Sequence, residues 1–136
     1  MSIRTFHLDT RHQGLHEITD KVADIVAAAG HAEGLCTVFI RHTSASLTIQ
    51  ENADSTARHD MEIWLNRLVP EGDPLYTHVF EGTDDMPSHL KAILNNVSLS
   101  IPFRDGRLML GTWQGIYLWE HRHAPHRREI VVHVGA

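Results

Sequence analysis

Apolar residues recur at two spacings along this chain, and the two spacings separate helices from strands. In the first helical segment, Ile18, Val22, Val26 and their neighbours fall three or four residues apart, as in a helix that buries one face. Thr19 is placed to cap the start of this helix, and Gly30 is placed to end it. The pattern therefore predicts a first helix between residues 19 and 29.

Two further helices are predicted by the same spacing. The second opens at Asp54 or Ser55 and closes before Pro70, since proline cannot continue a helix. The third begins near Pro87, a residue suited to the first helical turn. Apolar positions at helical spacing are Ala57, Met61, Trp64, Leu65 and Leu68 in the second helix, and Leu90, Ile93, Leu94 and Val97 in the third. Both helices are expected to bury these faces.

Runs of β-branched, aromatic and alternating apolar residues predict the strands. They span residues 3–8, 35–42, 47–49, 98–103, 107–112, 116–120 and 130–134. Asp105-Gly106 is typical of a two-residue hairpin turn, and a second turn is expected within residues 124–127. Because the helices are inserted among the strands rather than alternating with them, the order favours an α+β fold in one domain, residues 1–136.

The composition narrows the class of protein. With 136 residues, 42% of them hydrophobic, the chain can bury one core without disulfides. Cys36 is the only cysteine and lies in an apolar run, which favours a buried thiol in a reducing cytoplasm. The 12 basic and 17 acidic residues give a charge of −5, which argues against nucleic acid as a partner. No run approaches the ~20 apolar residues that span a bilayer, and the start has no signal-like segment, so no membrane partner is expected.

Three polar blocks interrupt the apolar pattern, and together they predict one site. The first contains an imidazole, three hydroxyls and two carboxylates: His42, Thr43, Ser44, Ser46, Glu51 and Asp54. The hydroxyls can donate to anionic oxygens, and the carboxylates can hold a divalent cation or position a proton. On the residue pattern alone the alternative is favoured, a turn at residues 43–46 with Asp54 as a helix cap and Glu51 as a solvated carboxylate.

The second block places five groups able to bind metal within one loop and the first turn of a helix. They are His78, Glu81, Asp84, Asp85 and His89. Near the helix start His89 meets the positive end of the helix dipole, which favours the neutral imidazole that a metal requires. The same helix start attracts phosphate. The alternative is that Asp84 or Asp85 caps the helix while both histidines lie on the surface, and the residues alone leave both interpretations open.

The third block starts between two glycines and continues, after an apolar run, into charged residues. It consists of Gly111, Thr112, Trp113, Gln114 and Gly115, followed by Glu120, His121 and Arg122. The glycines permit close approach to a ligand, on which Trp113 can stack while Gln114 bonds to the edge of its ring. Spacing alone favours the alternative, a bulged strand with Trp113 in the core.

Taken in order, the blocks resemble the YjbQ family. The likeness rests on HTSASLTIQENAD at residues 42–54, on His78 with EGTDDMPSHLK at residues 81–91, and on GTWQGIYLWEHR at residues 111–122. It spans nearly the whole chain. The resemblance implies a compact α+β sandwich of mixed or antiparallel sheet with about three helices, assembled as a homotrimer. It also implies a secondary thiamine-phosphate synthase activity in a family whose primary function is not established.

The resemblance assigns positions as well as a fold. The family positions matched here are His42, Glu51, Asp54, His78, Glu81, His89, Lys91, Thr112, Trp113, Gln114 and Glu120. We expect the catalytic groups to be Glu51, Asp54, Glu81 and Glu120. The expected substrate-binding residues are Thr43, Ser44, Ser46, Lys91, Thr112, Trp113, Gln114 and Arg122. The expected metal ligands are His42, His78 and His89. Val79 and the turn at residues 124–126 depart from the family pattern and affect the expected loop shape.

The reaction implied by the resemblance joins a pyrimidine-methyl diphosphate to a thiazole phosphate with loss of diphosphate. Lys91 and Arg122 would meet the phosphates, and Trp113 and Gln114 would orient the pyrimidine. The expected partner is thus a small phosphorylated metabolite. The expected cofactor is a divalent ion, zinc-like at the histidines or magnesium with the diphosphate. Two alternatives stay open: a metal-dependent hydrolase or lyase acting on another phosphorylated or cyclic metabolite, and a trimeric metabolite- or anion-binding module.

Overall fold

Two antiparallel sheets and three helices make up the computed structural model, which describes residues 1–136. In chain order the elements are β1 (Ser2–Thr10), β2 (Gly14–Glu17), α1 (Thr19–Ala29), β3 (Glu33–Ile40), β4 (Ala45–Glu51), α2 (Ser55–Leu68), α3 (Asp85–Leu94), β5 (Ser98–Arg104), β6 (Arg107–Leu108), β7 (Gln114–Glu120) and β8 (His126–Gly135). One sheet has the order β1-β8-β3-β5-β6 and the other the order β2-β7-β4. The α+β prediction is confirmed.

The main core lies between the two sheets and is built from alternating strand positions. Successive side chains of a strand point to opposite faces, so every second residue of β3 enters the core. These residues are Cys36, Val38 and Ile40, each at most 1% exposed. Val22 and Val26 of α1 pack into the same core. Burial raises the pKa of the Cys36 thiol to about 11, so the thiol is inert at neutral pH, as predicted.

A smaller core lies on the other face of the three-stranded sheet, under α2. Leu65 and Met61 of that helix pack against Leu15, Tyr117 and Trp119. β7 is therefore buried on both faces, which explains why its apolar run is unbroken instead of alternating.

α3 turns a polar face inward and an apolar face outward. Asp85, Ser88 and Lys91 are buried, whereas Ile93 and Leu94 are 75% and 58% exposed. The prediction that this helix buries its apolar face is wrong. The inward face finds polar partners, since Asp85 pairs with Arg122 and Lys91 donates to Asn66 of α2, and buried polar side chains are stable where they find such partners.

The start of α1 differs from the prediction by one residue. The N-cap position is Ile18, and Thr19 is the first helical residue. The Thr19 hydroxyl accepts a hydrogen bond from the backbone of Ile116 and donates one to Glu17, so it joins the helix to the sheet instead of capping the helix. Gly30 ends the helix at a positive φ of 76°, as predicted.

The other helix starts follow local chemistry. Asp54 caps α2 by accepting from the backbone N–H of Thr56, as predicted. α3 begins two residues before Pro87, which lies in its first turn. Trp64 and Leu68 of α2 are 60% and 52% exposed, so only part of the predicted apolar face is buried.

The strands agree with the prediction except at two places. β2 was not predicted, since its four residues carry one apolar side chain, Leu15. β6 covers two residues of the predicted segment 107–112. The hairpin at Asp105-Gly106 is confirmed, with positive φ at both residues, 54° and 71°. No helix has the length and hydrophobicity needed to span a bilayer.

Candidate functional site

The polar face of α3 meets the segment that follows β7 at the buried carboxylate of Asp85. Arg122 Nη1 donates to Asp85 Oδ1 over 2.7 Å. The same guanidinium donates to the backbone carbonyl of Glu81 over 2.7 Å and lies 3.2 Å from Asp84 Oδ1. Burial alone would raise the pKa of Asp84, but bonds from the His123 backbone and from Arg122 lower it overall. Arg122 therefore holds the loop before α3 in place.

Two imidazoles share the other oxygen of this carboxylate. His78 Nε2 lies 2.7 Å and His89 Nε2 lies 3.2 Å from Asp85 Oδ2. His89 Nδ1 lies 2.9 Å from the backbone carbonyl oxygen of Thr43. One ligating atom from each of His78, Asp85 and His89 lies within 4.8 Å of the others. The structure brings His78 and His89 together with Asp85 as the third member, and their role as metal ligands stays a prediction.

A cavity of about 550 Å³ adjoins the imidazoles, and its two walls differ. The polar wall is formed by His42, Thr43, His78 and His89, and the apolar wall by Met86, Ala92, Ile93 and Val97. The apolar wall follows from the inverted orientation of α3, because Met86, His89 and Ile93 project from successive turns of one helical face. The volume is within the range of small-molecule sites, roughly 300–1,000 Å³.

His42 lies in this cavity but is not one of the three clustered ligand groups. Its Nε2 accepts a hydrogen bond of 2.7 Å from the backbone N–H of Glu129. Burial, assisted by the charge of Arg128, lowers the pKa of His42. The imidazole is therefore neutral at pH 7, with its proton on Nδ1. Its predicted role as a metal ligand stays a prediction.

A second set of potential ligands, Glu71, Asp84 and His123, lies on the other side of Arg122. Glu71 Oε1 lies 2.5 Å from His123 Nε2, and Asp84 Oδ2 accepts from the His123 backbone N–H over 2.8 Å. Since these groups already bond to one another and to Arg122, they fasten the long loop between α2 and α3 to the end of β7.

The comparison with protein families decides the family of this chain. A model described as UPF0047 protein YjbQ-like matches residues 4–136. The chain belongs to the YjbQ family. A UPF0047 protein of Synechocystis is 52% identical over 125 residues, which cover 92% of this chain and 85% of that protein. The UPF0047 protein YjbQ of Salmonella typhimurium is 49% identical over 120 residues, covering 88% and 86%.

Solved structures agree with this membership. A conserved hypothetical protein from Thermus thermophilus superimposes with a TM-score of 0.87 at 36% identity, covering 97% of this chain and 99% of that chain. A hypothetical protein from Aeropyrum pernix gives a TM-score of 0.89 at 28% identity and covers 100% of both chains. The fold of this YjbQ-family chain is thus shared by its relatives.

Of the family-matched residues, Glu120 is a structural group in this chain. Its carboxylate is fully buried, accepts from Thr10 Oγ1 over 2.6 Å and from the Arg122 backbone over 3.1 Å, and pairs with the Arg128 guanidinium. Burial alone would raise the pKa of Glu120, but the bonds from Arg128 and Thr10 outweigh burial and lower it. The carboxylate has no accessible face for a substrate.

Lys91 is likewise buried, at 2% exposure, and its ammonium donates to Asn66 Oδ1 over 2.6 Å. Burial lowers its pKa, against the opposing charges of Glu71 and Asp84. Nearby, His121 Nε2 lies 2.9 Å from Ser46 Oγ, while its Nδ1 has no partner. Burial, then the charge of Lys91, lowers the pKa of His121 to about 3. In this arrangement Lys91 contacts a side chain instead of solvent.

The expectation that the three blocks form one site is wrong within a single chain. β4 pairs with β7 so that Ala45 faces Glu120 at one end and Glu51 faces Gln114 at the other. The length of the strand separates the two ends by about 20 Å. Ser44 and Ser46 lie at the end near the imidazoles, where the Ser44 carbonyl accepts from Arg128. The antiparallel pairing thus divides the first and third blocks between two ends.

At the far end, Trp113 is 63% exposed, which excludes the core position that spacing favoured. Thr112 is exposed in the same loop. The Gln114 side chain accepts from the Gly111 backbone and so closes this loop. No hydrogen bond or ion pair within the chain engages the Glu51 carboxylate, although its backbone carbonyl accepts from the Tyr117 hydroxyl. Asp54 beyond it is occupied with capping α2, and Glu81 contributes its carbonyl to Arg122.

The member of the cluster that the site prediction omitted is Asp85. A signal was present, because Asp85 and His89 are four residues apart and thus on one helical face. His78 was among the expected metal ligands, but spacing could not show that it meets Asp85, since it lies in an irregular loop that Arg122 holds through the Glu81 carbonyl. Arg128 and His121 were missed for a related reason: both are buried by strands that are distant in sequence.

Proposed function

We propose that this protein binds a divalent transition metal ion through His78, Asp85 and His89 and uses it to act on a small metabolite in the adjoining cavity. The proposal rests on the tautomer of His89. A backbone carbonyl only accepts hydrogen bonds, so the 2.9 Å contact with Thr43 places a proton on His89 Nδ1. The Nε2 of a neutral imidazole then carries a lone pair, and this lone pair faces Asp85 Oδ2 at 3.2 Å.

Two lone pairs facing each other repel unless a proton or a cation lies between them. A metal ion supplies the positive charge and takes both lone pairs, together with that of His78 Nε2. In a tetrahedral zinc site with bonds of about 2.1 Å, ligand atoms are about 3.4 Å apart. The 3.2 Å between His89 and Asp85 is close to this separation, and His78, at 2.7 Å from Asp85, would move outward as the ion enters. The Thr43 carbonyl and the Arg122 guanidinium would then orient His89 and Asp85 from outside, as such partners do in metal sites.

Two imidazoles and one carboxylate favour a zinc-like ion over magnesium, which prefers oxygen ligands. Three protein ligands leave a fourth position for water or substrate, the arrangement of catalytic rather than structural zinc. A metal-bound water at neutral pH is a nucleophile. The reaction class that these three ligands support best is therefore that of a metal-dependent hydrolase or lyase acting on a small phosphorylated or cyclic metabolite.

The family resemblance supports a second candidate, the thiamine-phosphate synthase type of transfer. Its diphosphate substrate needs free cationic groups beside the metal. In the single chain Lys91 is buried against Asn66, and the Arg122 guanidinium is engaged by Asp84, Asp85 and the Glu81 carbonyl. This distribution of charge favours the hydrolase or lyase. A metabolite-binding role without catalysis is the third candidate.

The family resemblance also supports a homotrimer, with its cavities expected at or near the subunit boundaries. Light scattering at micromolar concentration should give three times the chain mass. A mass of one chain would contradict the trimer, and it would leave the metal proposal unchanged because all three ligands come from one chain.

The metal is tested by occupancy. Purified protein stripped of metal should take up one zinc or cobalt ion per chain, and His78→Ala and His89→Ala should each lower the affinity at least about tenfold. His16→Ala is the matched control, since His16 is a histidine outside the cluster that bonds only to a backbone carbonyl. Equal uptake by the two cluster variants and the control would refute the site.

A further inference from the structure

The ring of His42 lines the cavity but belongs neither to the proposed metal ligands nor to the apolar wall. Its Nε2 accepts from the Glu129 backbone N–H over 2.7 Å, and a backbone N–H can only donate. The single proton of the neutral ring is therefore on Nδ1. No hydrogen bond within the protein engages that N–H, and His42 lines the cavity. The cavity thus contains a donor of fixed tautomer whose acceptor is not part of the chain.

The His42 ring is neutral as well as fixed in its tautomer. The ring is partly buried, and burial lowers its pKa, as does the charge of Arg128. The charges of Glu120 and Glu129 raise the pKa of His42 in part, and the charge of His126 lowers it further. A neutral N–H donor suits a carbonyl, carboxylate or phosphoryl oxygen, and it does not add a second full charge beside a metal ion.

The apolar wall determines the rest of the ligand. Ile93 and Val97 are 75% and 45% exposed, although both are apolar, and with Met86 and Ala92 they line the cavity of about 550 Å³ beside the imidazoles. Covering such a wall is favourable for an apolar group at roughly 25 cal/mol per Å² buried. The polar wall carries no lysine or arginine, so several negative charges on the ligand would not be matched.

We infer that the cavity takes a small molecule with one oxyanion or carbonyl head and an apolar body of ring size, and that His42 is the specificity-determining residue for the head. The inference rests on the proposed metal site, because the ion at His78, Asp85 and His89 holds the same head from its other side. His42 donates its Nδ1 proton in a hydrogen bond to the head, and Met86, Ile93 and Val97 contact the body.

The experiment uses the full chain loaded with cobalt, whose visible absorption reports a ligand entering the open coordination position. The probes are phenylphosphonate and methylphosphonate, which share a head and differ only in the apolar body. Phenylphosphonate should bind at least about tenfold more tightly, the change expected from burying much of one ring. Equal affinities for the two probes would overturn the assignment of the apolar wall.

Three variants separate the roles. His42→Met keeps a weak acceptor for the Glu129 N–H, the thioether sulfur, and has no donor, so it should weaken both probes about tenfold without changing their ratio. Ile93→Ser should weaken phenylphosphonate alone. His16→Gln, outside the cavity, is the matched control and should bind both probes as the unmodified protein does.

Four other outcomes would contradict parts of this inference. Unchanged probe affinity in His42→Met overturns the role of His42. If Ile93→Ser lowers the mass of the assembly and leaves probe affinity unchanged, the apolar wall is a contact between copies of the chain and the ligand assignment fails. Full cobalt uptake with no response to either probe overturns the inference but leaves the metal site intact. A chain that holds no cobalt overturns both.

Discussion

The two ends of the β4–β7 strand pair carry similar residue types, but these residues are buried and bonded at one end and exposed at the other. At the Ala45 end, Glu120 is buried and saturated by hydrogen bonds, and Arg122 and Asp85 form a charged pair beside the imidazoles. At the Glu51 end, the carboxylate has no partner within the chain and Trp113 is exposed. The family resemblance suggested chemistry at both ends, whereas the residue pattern alone favoured a solvated Glu51 and a core Trp113.

The difference between the two ends shows which groups are free to act. A buried carboxylate that already accepts several hydrogen bonds stabilises the fold, and its replacement mainly costs stability. A carboxylate without partners contributes little to stability and keeps its capacity for a ligand or another subunit. Asp85 is intermediate, because one oxygen is occupied by Arg122 while the other faces the two imidazoles.

The largest effect is expected from Glu120→Gln. It leaves the Arg128 guanidinium buried without a counter-charge, and breaking such a pair costs about 3–5 kcal/mol in the free energy of unfolding. Urea unfolding monitored by circular dichroism measures this loss. The double replacement Glu120→Leu with Arg128→Met should recover part of it. A loss below about 1 kcal/mol in the single variant would mean that this end is as tolerant as the other.

A smaller effect is expected from pH at the same end. The pKa of His121 is about 3 in the folded protein, below its ordinary value of 6.5, so the folded state favours the neutral ring. Its stabilisation is complete above about pH 6.5 and is lost as the pH falls, by roughly 1.5 kcal/mol between pH 6.5 and 5. His42, whose pKa is also lowered, adds to the same fall.

Unfolding curves at several pH values test this prediction through His121→Gln. The variant should lose stability less steeply than the unmodified protein between pH 6.5 and 5, whatever its stability at pH 7. Parallel pH profiles for the two proteins would show that His121 does not cause the acid sensitivity. Glu120 does not affect this window, because a carboxylate with a lowered pKa loses its contribution only below its ordinary value of 4.5.

At the opposite end, Asp54→Ala should cost about 1 kcal/mol, the usual contribution of a helix N-cap. Thermal unfolding measures it. Asp54→Ser is the matched control, since a serine hydroxyl can also accept from the Thr56 N–H, and it should retain most of the stability. If Asp54→Ala also removed metal, the carboxylate would have a chemical role in addition to its cap.

The smallest effect is expected from Glu51→Gln, which should change stability by less than about 0.5 kcal/mol because the carboxylate has no partner in the chain. Metal occupancy should also stay unchanged, since Glu51 lies a strand length from the three ligands. A fall in occupancy with an unchanged melting temperature would instead mean that the two ends meet across a subunit boundary.

The sequence predicted the helices and most strands because their spacing, Gly30, Asp54 and Asp105-Gly106 act locally. It misjudged α3, since periodicity locates an apolar face without saying which face is turned inward. That orientation is set by Asp85 pairing with Arg122 and by Lys91 donating to Asn66 of α2, contacts between residues distant in the sequence.

The candidate site was likewise predicted in part. His78 and His89 were placed together because the second block puts its potential ligands within one loop and the first turn of the helix that follows it. Asp85 was mentioned as a potential ligand, yet three imidazoles suggested His42 as the third. Only the folded structure shows that the Glu129 backbone N–H donates to His42 Nε2 and that Glu51 lies at the far end of β4.

β8 is the last strand in the sequence, yet it lies inside the five-stranded sheet, paired with β1 on one side and β3 on the other. During synthesis, neither strand can find this partner until residues 126–135 have left the ribosome. The large sheet can therefore close only once β8 has been synthesised, through contacts that close a loop from β1 to β8, which makes folding slow. Until then, the edges of β1 and β3 that β8 will cover are open to aggregation or to a chaperone.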